Sequence, residues 1–161
     1  MHNNASSQAV RGETGRHPFI IRQKIKLLKY WRKITVLPDE SLLKKMYVIL
    51  CDLNDGGYKT WATHVEEVLK ENQLEHLWNE QCIEPREIQT VSNILYSNYD
   101  NLWMRNINDV TMNPKLRTYC TFKSCFVMEP YLMSILDYDV RKQLTRFRIS
   151  NHVLYIEQEV R

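Results

Sequence analysis

Apolar and polar residues alternate with a helical period over most of the chain. Between Pro18 and Val36, basic residues recur on one side of a helical wheel, and large apolar residues fill a broad arc opposite them. Because proline suits the first turn of a helix, the pattern predicts an amphipathic helix over 18–36. The apolar arc consists of Ile20, Ile21, Ile25, Leu27, Leu28, Trp31 and Ile34.

Two further helices have clear start and stop signals. Residues 38–41, Pro-Asp-Glu-Ser, begin one helix, and Gly56-Gly57 ends it. Thr60 is placed to cap the next helix, which is expected to end near Asn72. The predicted inward side chains are Leu42, Leu43, Met46, Ile49, Leu50 and Leu53 in the first helix, and Trp61, Val65, Val68 and Leu69 in the second.

The second half of the chain shows shorter helical patterns. A turn or short helix is expected over 74–81, a helix from Glu84-Pro85 onward, and another around residues 116–122, after the polar break at 108–113. Asp139 is expected to cap a last helix with Val140, Leu144 and Phe147 inward.

The N-terminal residues 1–15 are polar and small, without apolar periodicity, and are predicted to be a disordered tail. The predicted architecture is therefore all-α: an irregular bundle of about six to seven helices that forms a single domain over 16–161. The length of 161 residues suits one domain, and only 4 glycines and 5 prolines argue against turn-rich sandwiches and barrels.

The sequence has no apolar run long enough to span a bilayer and no signal-peptide pattern, so the expected compartment is the cytoplasm or nucleus. The net charge of +3 conceals an asymmetry along the chain. Residues 1–37 carry eight basic residues against Glu13 alone, and acidic residues are in excess in the remainder. Basic segments of this kind typically contact phosphates, anionic lipid or the acidic remainder of the same chain.

Two basic clusters are the candidate nucleic-acid-binding residues. Positive charge without base-reading motifs predicts weak, sequence-nonspecific binding of RNA or DNA. Tyr30 and Trp31 lie near enough to the first cluster to stack on single-stranded bases. The first cluster, a stripe on helix 18–36, is Arg22, Lys26, Lys29 and Lys33, and the second, expected to point outward, is Arg141, Lys142, Arg146 and Arg148.

Other interpretations of these segments stay open. Helix 18–36 is also compatible with an anionic membrane surface, its apolar arc inserted, or with an ordinary solvated surface whose arc belongs to the core. A different class of function is a host-adopted or accidental helical protein-interaction module that has no nucleic-acid role and binds a partner through apolar surface around Trp31, Trp61 or Trp78.

The sequence contains no complete catalytic motif, and we expect no enzyme activity, cofactor, metal or small-molecule ligand. The scattered cysteines Cys51, Cys82, Cys120 and Cys125 are expected to be reduced, partly buried thiols. Cys120, Cys125 and His152 lack the local context of a nucleophile held by a base. In the segment 137–139, a helix-capping aspartate is favoured over a paired-aspartate metal site.

Four stretches of the chain resemble the region downstream of the reverse transcriptase in polyproteins of LINE-type non-LTR retrotransposons. They begin GRHPFIIRQK, TWATHVEEVL, LRTYCTFKSC and RKQLTRFRIS, and with the residues after them they cover most of the chain from Gly15. The residues that fit the family pattern most specifically are Leu116, Arg117, Tyr119, Phe122, Lys123, Glu129, Tyr131, Leu132, Arg141, Leu144, Arg146, Phe147, Arg148, Ser150, His152, Leu154, Ile156 and Glu157.

The resemblance implies a non-enzymatic, truncated piece of a retroelement polyprotein that adjoins the polymerase in the parent and helps to hold template RNA or target DNA. In the family, this region precedes a Cys/His zinc motif. The present sequence ends at Arg161 without that motif and has Val160 where relatives tend to have glycine. The polymerase and endonuclease carboxylates have no counterpart here, so the enzymatic activities of the family are not expected.

Overall fold

A computed structural model describes residues 6–109 and 111–149, and over these residues the protein is all-α, as predicted. A single 3₁₀ turn at Pro114–Leu116 and an isolated antiparallel bridge between Thr14 and Met128 accompany the helices. The α-helices are α1 (Ser7–Thr14), α2 (Phe19–Thr35), α3 (Leu42–Asp55), α4 (Trp61–Glu71), α5 (Glu75–Glu80), α6 (Pro85–Asn108), α7 (Tyr119–Phe122), α8 (Tyr131–Ser134) and α9 (Tyr138–Arg148).

The described residues divide into two compact units. Unit 2 is the continuous segment Pro18–Tyr96, and unit 1 combines the residues up to His17 with those from Ser97 onward. The boundary falls within α6, where the helical pattern of the sequence continues without a break. The single domain expected over 16–161 stays a prediction.

Unit 2 is built on α2, α3, α4, α5 and the start of α6. Its core includes Leu28, Trp31, Val65 and Leu69, which are fully buried. The indole Nε1 of Trp31 donates to the Tyr47 hydroxyl at 2.7 Å, so the polar atom of this buried ring is satisfied.

Local signals set the ends of α3 and α4 as the sequence predicts. Gly56 follows the last residue of α3, and the Thr60 hydroxyl accepts the backbone N–H of Ala62 at 3.1 Å. The Thr63 hydroxyl in turn accepts the Thr60 N–H at 2.8 Å, which completes a reciprocal cap. Asn72 caps the C-terminus of α4, as expected.

Unit 1 begins with α1, so the predicted disordered tail is wrong for residues 7–14. Residues 1–5 of that prediction lie outside the described residues. Ala9 and Gly12 of α1 are buried, and a Cβ on Gly12 would lie 2.4 Å from atoms of both Trp103 and Tyr119. Glycine is therefore required at this close approach, and a helix held by one alanine and one glycine shows no apolar period in the sequence.

Hydrogen bonds over long sequence separations fix α1 in unit 1. Trp103 Nε1 donates to the Gln8 carbonyl at 2.9 Å, and the Tyr119 hydroxyl donates to the Ala9 carbonyl at 3.2 Å. Gly15, with φ of 59°, ends α1 in the left-handed conformation that glycine adopts without strain. The unexpected helices are α1 and the one-turn α8.

Two predicted helix faces and one predicted cap differ from the structure. The inward face predicted for α3 is mostly exposed, because Tyr47 supplies the buried contact of that helix. In α9, Val140 and Phe147 are exposed, and the N-cap is Asp137 instead of Asp139. The Asp137 side chain accepts the Val140 N–H at 2.9 Å. Over the described part of the chain, no helix is long and apolar enough to cross a membrane.

Candidate nucleic-acid interface

Helix α2 carries the first basic cluster on a surface that is well defined by its packing. Its opposite side is anchored in unit 2 by Ile21, Leu28, Trp31 and Ile34, which are all buried. At its C-terminus, the Lys44 ammonium donates to the Thr35 carbonyl at 2.9 Å, a favourable position for a cation. The buried anchors set which residues of α2 face solvent.

The four cations of the predicted stripe all lie on the exposed side of α2. None of them forms an ion pair within residues 6–109 and 111–149. We call these residues the α2 basic stripe: Arg22, Lys26, Lys29 and Lys33. Because they repeat at intervals of three and four residues, their charges add to one extended positive surface.

The remaining cations of α2 have other roles. Lys24 is half-buried and pairs with Glu71 of α4, and Arg32 is half-buried. These are the two positions where basic residues intrude on the apolar arc, and the Lys24–Glu71 pair lets one of them remain there without an uncompensated charge. Neither residue belongs to the α2 basic stripe.

Exposed aromatic side chains border the stripe, but not the pair that the sequence suggested. Trp31 is fully buried and unavailable for stacking, whereas Tyr30 is exposed and meets the Trp61 ring edge-on at 5.6 Å between centroids. Phe19, at the start of α2, is also exposed. Sequence reasoning missed Phe19, although a helical wheel places it beside Lys26 and Tyr30.

The apolar arc of α2 is part of the core of unit 2. Leu28, Trp31 and Ile34 pack with Val65 and Leu69 of α4 in one cluster, and only Ile20 of the predicted arc is mostly exposed. An interfacial membrane helix needs that face free to enter the acyl region. The folded chain therefore does not offer the apolar face on which the membrane interpretation depends.

The second basic cluster is divided in the structure. Lys142 and Arg146 are exposed, and the Lys142 ammonium lies 5.5 Å from the centroid of the Tyr138 ring. Arg141 is half-buried, and its guanidinium donates to the backbone carbonyl of Ile135 at 3.2 Å. The prediction that all four residues point outward is wrong for Arg141 and for Arg148.

Arg148 lies in a buried group of charged side chains in unit 1. Its guanidinium binds the Glu13 carboxylate through two nitrogens, at 3.0 and 3.1 Å, and the Glu129 carboxylate at 2.8 Å. Glu129 also pairs with the buried ammonium of Lys123, and the Tyr131 hydroxyl donates to Glu13 at 2.6 Å. We call these five residues the buried charge cluster.

The buried charge cluster sets the ionisation of its members. Burial alone lowers the pKa of Arg148, but the Glu13 and Glu129 carboxylates outweigh it and raise the pKa above its ordinary value. Arg148 is therefore held as a cation with both carboxylates satisfied. Such a residue stabilises the fold and is not available to bind phosphate.

Residues considered for other chemistry do not form a site. Within the described ranges, no group of three or more His, Cys, Asp or Glu side chains is placed to hold a metal ion. Cys82 and Cys125 are exposed, contrary to the expectation of partly buried thiols, whereas Cys51 and Cys120 are half-buried. Burial raises the pKa of the Cys51 thiol, which keeps it in the less reactive protonated form. His152 lies outside the described residues.

A surface cavity of about 540 Å³ lies between α2 and α4 in unit 2. Its walls include Ile20 and Leu27 of α2 and His64, Glu67 and Glu71 of α4. Because Glu71 pairs with Lys24, the cavity has no concentration of one charge that selects a ligand.

Comparison of the chain with protein-family models, with curated proteins and with solved structures finds no match. The resemblance to LINE-type retrotransposon polyproteins remains a prediction from the sequence.

Proposed function

We propose that the chain is a non-enzymatic, retrotransposon-derived helical protein of the cytoplasm or nucleus that binds RNA or DNA weakly and without sequence specificity. One observation carries the binding proposal: the α2 basic stripe is exposed and forms no ion pair with any described residue. Cations in this state are free to replace the counterions of a phosphate backbone.

The aromatic residues beside the stripe favour single-stranded nucleic acid as the ligand. Exposed Phe19 and Tyr30 offer ring faces to unpaired bases, and stacking of this kind tolerates any base. Within the second cluster, Arg141 and Arg148 are bonded within unit 1, so the binding proposal rests on the four cations of the α2 basic stripe. In the parent polyprotein, such a surface would help to hold template or target strands beside the polymerase.

The experiment is a fluorescence anisotropy titration of a labelled single-stranded oligonucleotide at several salt concentrations. Four phosphate contacts predict that the logarithm of the binding constant falls with the logarithm of salt at a slope of about −3. Replacing Lys26, Lys29 and Lys33 together by glutamine should bring the slope close to about −1.

The matched control removes three cations elsewhere on the surface: Lys59, Arg86 and Arg117, all exposed and each replaced by glutamine. Both triple variants have the same net charge, so a difference between their slopes reports the stripe itself. Absence of binding by the unmodified chain at low salt, or equal slopes for the two variants, would exclude this interface.

The alternative function, a protein-interaction module, was expected around three tryptophans. Trp31 is fully buried, and Trp61 and Trp78 are half-buried against the core of unit 2, so this surface gives the alternative little support. Exposed apolar side chains of α3 adjoin Trp61 at an apolar groove, so the apolar surface that such a module needs lies on α3 and not at the tryptophans themselves.

A further inference from the structure

Helix α3 exposes a row of large apolar side chains that unit 2 does not use for its own packing. We call these four residues the α3 row. They follow one another at intervals of four, three and four positions, which is the spacing of a coiled-coil seam. They are Leu42, Met46, Ile49 and Leu53, and their surfaces are 74, 54, 57 and 41% exposed.

A different side of α3 faces the core. Tyr47 is buried there, and Leu50 and Cys51 are half-buried against the same cluster. The α3 row is therefore a second apolar face on a helix that is already anchored. Isolated exposed apolar residues are common on protein surfaces, but a continuous row is typical of an interaction surface.

An apolar groove adjoins the row and enlarges this surface. Its volume is about 160 Å³, and Tyr30, Leu43 and Trp61 contribute to its walls. Met46 belongs both to the groove and to the α3 row, so the two form one continuous surface.

We propose that the α3 row is the contact surface of a homodimer in which two copies of α3 pair in antiparallel orientation. Two-fold symmetry then places Leu42 against Leu53 of the partner subunit, and Met46 against Ile49 of the partner subunit. All four residues of the row gain an apolar contact in this arrangement.

The charges beside the row favour this partner and this orientation. Exposed Lys45 and Asp52 occupy equivalent heptad positions on one edge of the row. Antiparallel pairing brings Lys45 next to Asp52 of the partner subunit, and symmetry repeats the pair at the other end. Parallel pairing instead brings Lys45 opposite Leu50 of the partner subunit and forms no charge pair.

The dimer should be weak because the contact is small. A helix of 14 residues is about 21 Å long, so the row and its groove bury less than a standard interface. We expect a dissociation constant on the order of 10 µM. The inference does not depend on nucleic-acid binding, because the α2 basic stripe plays no part in it and Tyr30 is the one residue that borders both surfaces.

Sedimentation equilibrium over concentrations on both sides of the expected constant is the first test. The full chain should change from a species of 19.4 kDa to one of twice that mass. Ile49→Lys places a charge in the centre of the row and should weaken the dimer at least about tenfold. Val48→Lys is the matched control: Val48 is also β-branched and 47% exposed but lies off the row, so this variant should dimerise normally.

Circular dichroism should show the same thermal midpoint for both dilute variants, because neither side chain is in the core. A chain that stays at 19.4 kDa throughout, or two variants with the same dissociation constant, would overturn the proposal.

A charge exchange tests the orientation. Lys45→Asp and Asp52→Lys should each weaken the dimer by a few fold, because each variant sets like charges side by side at both ends. The double variant recreates opposite charges and should return to within about twofold of the original constant. Asp55→Lys, an exposed position away from the row, is the control for the change in net charge. Failure of the double variant to recover would exclude antiparallel pairing.

Discussion

At the residue scale, unit 1 depends on charged side chains that are buried together. Glu13 is 1% exposed and Lys123 is 2% exposed, yet each has an opposite charge in direct contact. Desolvation of such groups is costly, so the pairs contribute little more stability than apolar residues would in their place. Removal of one partner, however, leaves a buried charge without an opposite charge beside it. The cluster therefore makes the fold sensitive to single substitutions.

Arg148→Met provides a direct measure of this sensitivity. The substitution leaves the Glu13 carboxylate buried without its two-point partner, and we expect the free energy of unfolding to fall by about 3 kcal/mol. The matched control is Arg146→Met, in the same helix but exposed, which should change it by less than about 0.5 kcal/mol. Urea unfolding followed by circular dichroism gives both values. Equal effects would show that the cluster does not hold α9 to α1.

Tyr131 gives the cluster a dependence on alkaline pH. Burial, followed by the hydrogen bond to Glu13, raises the pKa of Tyr131 to about 12. An unfolded tyrosine has a pKa of about 10, so the contribution of Tyr131 is complete below about pH 10 and is lost as the pH rises towards 12. The free energy of unfolding should decrease more steeply across this window for the original chain than for Tyr131→Phe.

Tyr138→Phe is the control for that measurement, because Tyr138 is exposed and close by in α9. The free energy of unfolding of Tyr138→Phe should change with pH in the same way as that of the original chain. If Tyr131→Phe also shows the pH dependence of the original chain, the pKa of Tyr131 does not differ between the folded and the unfolded chain.

For individual charged residues, the sequence predicts solvent exposure better than it predicts the ion-pair partner. The positions of Lys26 and Lys33 follow from helical period alone, and both are exposed. The position of Arg148 does not, because its partner Glu13 is 135 residues away, in a segment without any apolar pattern. No local signal connects two such residues.

At the element scale, short-range signals decide where helices begin and end. The Thr60 cap and Gly56 lie next to the helices they bound, and both were predictable. Which face of a helix is buried is harder to predict, because apolar spacing shows that a helix has an apolar face but does not show what covers it. The spacing in α3 is genuine, but the core contact comes from Tyr47, whose hydroxyl donates to Gln81 at 2.5 Å. The one-turn α8 is too short to have a period.

Two aspartates at the start of α9 have different roles: Asp137 is the N-cap, and Asp139 lies in the first turn. Asp137→Ala removes the acceptor of the Val140 N–H and should lower the free energy of unfolding by about 1 kcal/mol. Asp139→Ala loses only a favourable charge near the helix N-terminus and should cost at most about half as much. Thermal unfolding of the two variants compares them directly, and the reverse order would identify Asp139 as the cap.

At the scale of the whole molecule, each unit has its own apolar core. The core of unit 2 lies within one continuous segment, whereas the core of unit 1 combines Ala9 with residues from Trp103 to Ile149. The sequence does not show this division, since the helical pattern runs unbroken through the boundary in α6. Only the contacts made after folding reveal it.

A fragment comprising residues 18–96 should fold by itself. It contains the complete core of unit 2 and the whole α2 basic stripe, so we expect a helical, cooperatively melting protein that retains the salt-dependent binding of the full chain. Circular dichroism and the anisotropy titration measure these two properties. A fragment without a cooperative transition would show that unit 2 needs the rest of the chain.

The pairing of Glu13 with Arg148 also sets an order of events during synthesis. A ribosome adds about 5–20 residues per second, so roughly 7 to 27 s pass between the two ends of this contact. For roughly the last two-fifths of that time, residues 18–96 are complete and free to fold, while α1 still lacks Arg148. Helix α1 is therefore synthesised well before the residues that bury it.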